Sequence, residues 1–197
     1  MTTLTHHDHA TEKAANASLG FWLYLMTDIM IFASLFATYI ILRPGTNGGP
    51  EASEIFNLEF IMVSTFLLLV SSLTSGLAFL ALKTGQQKKA LRLLGATILL
   101  GIGFLTLELY EFGELILHGH GPDHSAFLSA FFTLVGTHGL HILVGIIWAI
   151  ALGDFITKRG ATPDAIRKFS LFTVFWHFLD LVWIFIFTIV YLLGVIA

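Results

Sequence analysis

The chain has 197 residues, of which 56% are hydrophobic and 12% charged, with a formal net charge of -3. A soluble domain carries about a quarter charged residues, so a chain this apolar cannot cover itself with polar groups in water, and its solvent is lipid. The absence of cysteine excludes disulfides, thiolate metal sites and thiol catalysis, and ten Lys and Arg without a long basic tract argue against a nucleic-acid partner.

Residues 1–18 form a polar N-terminal extension that carries His6, His7 and His9, without an apolar run near its start that would read as a secretory signal. Residues 19–197 read as one all-α membrane domain of five transmembrane helices. Crossing a hydrocarbon core of ~30 Å takes roughly 20 helical residues. Stretches of that kind lie at Gly20–Leu42, Phe56–Leu82, Ala90–Leu117, Ala126–Leu152 and Phe169–Val195. They are helices because a backbone in lipid must satisfy its own hydrogen bonds, and these runs lack the alternation of a barrel strand. The run Pro44-Gly45-Thr46-Asn47-Gly48-Gly49-Pro50 marks the first loop, and Gly121-Pro122-Asp123 marks the third. Short connections make sequence neighbours antiparallel in one bundle.

The basic residues set the expected orientation. The second loop region holds Lys83, Lys88, Lys89 and Arg92, and the fourth holds Lys158, Arg159, Arg167 and Lys168, whereas the first has Arg43 and the third has none. The second and fourth loops are therefore expected on the cytoplasmic side, with the N-terminus inside and the C-terminus outside.

A charged group at the centre of a spanning helix costs roughly 2.5–3.5 kcal/mol on insertion scales. Ionisable groups nevertheless stand well inside every span except the second, whose Glu59 is close to an end. In the first span, Leu25-Met26-Thr27-Asp28-Ile29 sets Asp28 about eight residues, or ~12 Å, from the inner end. It is either a hydrogen-bonded carboxyl that fixes packing or a proton-linked acid. In the third span, Glu108 and Glu111 are three apart and share a helix face, while Glu114 nears the outer surface. Two close carboxylates in low dielectric cannot both ionise cheaply; the pair suits proton transfer or a hydrogen-bonded structural contact, and the structural reading is the simpler.

The fourth span carries Gly136-Thr137-His138-Gly139-Leu140-His141. Histidines at i and i+3 can meet one metal ion, yet zinc sites take three or four protein ligands. Each imidazole more simply satisfies a polar partner between helices, which Gly136 and Gly139 allow to approach. The fifth span carries Phe175-Trp176-His177-Phe178-Leu179-Asp180-Leu181-Val182-Trp183. His177 and Asp180 are again i, i+3, and an Asp accepting from an imidazole N–H lowers the burial cost of both. By depth, Asp28, His138, His141, His177 and Asp180 form one layer near the midplane, and Glu108 and Glu111 a second layer nearer the outer face.

These residues, in this order, carry a resemblance to the cytochrome oxidase subunit III family. Phe175–Trp183 resembles its last-helix signature, Gly136–His141 its Gly-x-His-Gly-Leu-His segment, and Glu108–Glu111 its Glu-Tyr-Tyr-Glu segment; Asp28 falls where its intramembrane acid, usually Glu, lies. The likeness covers residues 19–197. The chain departs from the seven-helix form in having five spans and in using Asp as that acid, and the five-helix length with a His-bearing N-terminus is similar to the cytochrome o (bo-type) ubiquinol oxidase branch. The resemblance implies a non-catalytic subunit III of a proton-pumping haem-copper terminal oxidase in a bacterial inner membrane. Such a complex oxidises ubiquinol and reduces oxygen to water. It further implies partner subunits I, II and IV, haem and copper in subunit I, bound phospholipid from the surrounding membrane lipids, and a role in stabilising subunit I and supporting proton uptake. No catalytic, cofactor-binding or metal-binding residue is expected in this chain. A small proton-linked transporter or channel, and a membrane enzyme built on a histidine metal centre, are the rival readings. The lack of inverted repeats weighs against the first, and the thin histidine count against the second.

Overall fold

The structure is a computed structural model and describes residues 2–49, 52–56 and 58–196. Its regular structure is helical, with no strand among the described residues. In chain order the elements are α1 (Thr2–Leu42), α2 (Ala52–Ile55), α3 (Leu58–Lys83), α4 (Gln87–Leu117), α5 (Ala126–Arg159), α6 (Pro163–Ile186), a π-helical segment (Phe187–Leu192) and α7 (Leu193–Ile196). Among the described residues, five stretches are long and apolar enough to cross a membrane: Asn16–Leu42, Leu58–Lys83, Gln87–Leu117, Ala126–Arg159 and Pro163–Val195. The five expected spans are all present.

The fourth span runs on to Arg159 instead of stopping at Leu152, and the fifth starts at Pro163 instead of Phe169. Hydropathy marks the edge of the hydrocarbon, but a helix ends where its backbone is capped. Gly160, at φ 73°, closes α5. Thr162 accepts from the Ala165 amide at 3.3 Å to open α6, and Pro163 fills the first turn, where no N–H is required. The added turns carry interfacial ion pairs, Lys158 to Asp154 at 2.7 Å and Arg167 to Asp164 at 2.9 Å.

The chain divides into two compact units, residues 1–34 and 35–197. The first is the N-terminal part of α1. In it the Thr27 and Ser34 hydroxyls donate to the carbonyls of Tyr24 and Met30 in the preceding turn, which spares them an unmet hydrogen bond in lipid.

In the second unit α3 packs on α4, α4 on α5, α5 on α6, and α6 back on α3, so four antiparallel helices close into a ring. The α3–α4 contact is the most extensive. Its cause is visible in the buried face of α3, where Ser64, Ser71, Ser72, Ser75 and Ala78 recur at helical spacing and let a neighbouring backbone come close. Aromatic rings fill the ring's interior: Phe104 meets Trp183 edge-to-face at 4.6 Å, and Phe56 meets Tyr191 at 4.8 Å.

Candidate functional site

Polar residues of the second to fifth spans line the ring of α3–α6, and Trp176 is the side chain that ties the four helices together. Its Nε1 donates to Ser71 Oγ on α3 at 3.0 Å, and Ser71 Oγ in turn donates to the Thr97 carbonyl of α4 at 3.3 Å. The indole lies between two glycines. A Cβ on Gly101 of α4 would stand 3.0 Å from Cη2, and one on Gly145 of α5 would stand 2.7 Å from Cζ3. About two turns further along α6, Trp183 Nε1 donates to Thr65 Oγ1 at 3.0 Å, a second strut to α3.

Glu108, Glu111 and Tyr191 form the outer cluster. The Tyr191 hydroxyl donates to Glu111 Oε2 at 3.0 Å. Glu108 is buried against α5: a Cβ on Gly139 would stand 2.7 Å from its Oε1, so glycine is what makes room for the carboxyl. Its Oε2 has no hydrogen-bond partner among the described residues. The two glutamates lie close enough for each to feel the other's charge, as their shared helix face requires. Glu114 is half-exposed and faces His118 at 3.6 Å. Tyr191 was not singled out by the sequence, where it reads as one more aromatic near a membrane boundary. The π-helical segment re-aims it inward, and nothing in the hydropathy pattern signals that extra residue in the turn.

The histidines of the fourth span differ in their surroundings. His138 is fully buried, with its ring stacked on Trp183 at 5.4 Å and edge-on to Phe104 at 5.8 Å. His141 is half-buried and bonds through Nδ1 to the Thr137 carbonyl of its own helix at 2.7 Å. No group of three His, Cys, Asp or Glu converges as a metal ligand set among the described residues.

No hydrogen bond joins His177 to Asp180 among the described residues, although each lies within reach of the other's charge. His177 Nδ1 is hydrogen-bonded instead to Ser72 Oγ of α3 at 2.5 Å. Asp180 is half-buried beside Ser72, and its Oδ1 has no hydrogen-bond partner among the described residues. The small residues of α3 explain the change: they bring a hydroxyl within reach of the imidazole from across the interface. Asp28 lies near the middle of the first span, in the other unit. The side chains of His6, His7 and His9 lie outside the described residues.

What this arrangement does is hold helices together. Trp176, Trp183, Tyr191 and His177 each leave α6 or the π-helical segment and reach a partner on α3 or α4. Among the described residues no hydrogen bond joins the Glu111–Tyr191 pair to the Ser72–His177 pair.

Comparison with known proteins agrees with this picture. The sequence matches the family described as "Cytochrome c oxidase subunit III" over residues 1–195. It is 50% identical over 188 residues to the "Cytochrome bo(3) ubiquinol oxidase subunit 3" of Pseudomonas aeruginosa, covering 95% of this chain and 90% of that one. The protein of the same name from Pseudomonas putida is 53% identical over 178 residues, 90% of this chain and 86% of its own length. A "Cytochrome c oxidase subunit 3" of Bacillus sp. (strain PS3) is 48% identical over 189 residues, 96% of this chain and 91% of the relative.

Proposed function

Because this chain belongs to the cytochrome c oxidase subunit III family, we propose that it works in the ubiquinol-oxidising branch of the haem-copper oxidases, assembled with subunits I, II and IV in a bacterial inner membrane. It is a haem-copper oxidase subunit of five membrane-spanning helices, and the relatives give no support to a self-contained transporter. The observation that carries the quinol assignment is the 53% and 50% identity to two ubiquinol oxidase subunits. A cytochrome c oxidase subunit stands near them at 48%, so the electron donor is the point to test.

In this reading haem and copper reside in subunit I, where quinol is oxidised and oxygen reduced, and this chain contributes none of the reacting groups. Its residues do mechanical work: Trp176 and Trp183 fasten α6 to α3, and the Glu111–Tyr191 bond fastens the π-helical segment to α4. The rigid ring stabilises subunit I and keeps the route for proton uptake in shape, while phospholipid covers its remaining apolar surface. The termini lie as the loop charges direct, N inside and C outside.

The test is the donor preference of the complex purified through a tag on this chain. Oxygen uptake sustained by ubiquinol and not by reduced cytochrome c supports the reading. Uptake driven by cytochrome c and not by ubiquinol overturns its quinol part.

A further inference from the structure

We infer that the face of the ring formed by α3 and α6, centred on Ser72, Gly76 and His177, docks a transmembrane helix of a partner oxidase subunit, one that presents a hydrogen-bonding side chain at mid-membrane depth. The inference rests on the reading of this chain as part of an oxidase complex, and names where in this chain that contact is made.

His177 is exposed although it lies midway along the span Pro163–Val195. Its Nδ1 is occupied by Ser72, and its Nε2 has no hydrogen bond among the described residues. If Ser72 donates to Nδ1, Nε2 carries the proton and needs an acceptor. If Nδ1 donates to Ser72, Nε2 is a bare acceptor and needs a donor. Either tautomer leaves one polar atom turned outward, where hydrocarbon offers it nothing and headgroups are about 15 Å away, half the ~30 Å core. A polar side chain on an adjoining helix is the partner that reaches this depth.

The surface around the imidazole is shaped for such a helix. Nε2 lies over Gly76, 3.7 Å from where a Cβ would be, so α3 has a notch at that level. Ser72 and Gly76 are one turn apart, the small-residue spacing that allows backbones to close in. The flanks are apolar and open, with Leu73 62% and Leu181 52% exposed. A central polar contact within an apolar rim is how helices recognise each other where lipid removes any hydrophobic drive.

Photoreactive residues placed singly at Leu73 and Leu181, on this face, and at Leu99 and Ile147, exposed on α4 and α5 across the ring, test it in native membranes. Adducts with another oxidase subunit from positions 73 and 181, and few from 99 and 147, support the docking face. So does His177→Leu if it lowers retention of this chain in the solubilised complex about threefold, the scale of one interhelical hydrogen bond in a membrane, and by more than Ser72→Ala, which removes the internal bond but keeps Nε2. Adducts from 99 and 147 alone, or adducts from 73 and 181 only within this chain or to a second copy of it, overturn the docking face even though the complex still purifies intact. Failure of the unsubstituted chain to purify with any oxidase subunit defeats the subunit reading itself, and the docking face with it.

Discussion

Gly145 lies directly against the Trp176 indole, so that a Cβ there would stand 2.7 Å from Cζ3 and 3.0 Å from Cε3. The ring cannot yield easily, because Gly101 closes on its other side and Ser71 holds its Nε1. Gly145→Ala is therefore expected to destabilise the solubilised subunit by about 1–3 kcal/mol, the usual cost of overpacking. Gly95→Ala, on α4 with nothing within 4 Å of its Cβ position, is the control and should be neutral or slightly stabilising. Thermal melting followed by tryptophan fluorescence reads both, and an unchanged midpoint for Gly145→Ala would contradict the packing described.

The π-helical segment makes a second claim. Tyr191→Phe removes the donor to Glu111 and leaves a half-buried carboxyl short of a partner. The loss is expected at about 0.6–1.7 kcal/mol, the range for such contacts between helices in membranes. Tyr191→Phe combined with Glu111→Leu should cost less than the sum of the two single changes, because both remove the same bond. Strict additivity in a double-mutant cycle of melting midpoints would show that the bond contributes nothing.

Ser72, rather than Asp180, is the partner of His177, and this sets an order of effects. Ser72→Ala orphans Nδ1 and should lower retention of this chain with the haem-bearing subunit. Asp180→Ala removes a carboxyl whose Oδ1 is unbonded among the described residues, and should lower retention less. Turnover per retained haem centre should change little in either. A proton relay through His177 and Asp180 makes the opposite forecast: full retention with slowed turnover. Subunit stoichiometry and oxygen consumption on the same preparations separate the two.

From the Lys and Arg asymmetry of the loops, Lys88 is expected inside and Asp123 outside. Single cysteines at these positions, in a chain that has none of its own, should be labelled by an impermeant reagent from opposite faces of the membrane. Labelling of both from one face would contradict the orientation.

The five spans were legible because lipid demands long apolar helices and little else of the sequence competes with that signal. Their ends were less so. The fourth span's extension to Arg159 depends on a glycine cap beyond the apolar edge, which hydropathy does not weigh. The site residues were legible as costly groups in the wrong solvent, and Glu108 and His138 do prove buried. Their partners were not. Spacing along one helix suggested His177 with Asp180, but the partner came from α3, because small residues there bring Ser72 across the interface. Tyr191 was missed for a similar reason, since the π-helical turn that points it at Glu111 leaves no mark on periodicity.

The central claim is that this chain is a structural subunit whose redox chemistry lies in its partner. The most direct measurement is gentle solubilisation, purification through a tag on this chain, and a visible spectrum taken before and after the chain is stripped from the complex. The account predicts a haem spectrum in the intact complex that stays wholly with the partner subunit, leaving the stripped chain colourless. A chain that purifies with no haem-bearing partner, or one that carries haem away with it, would contradict the account.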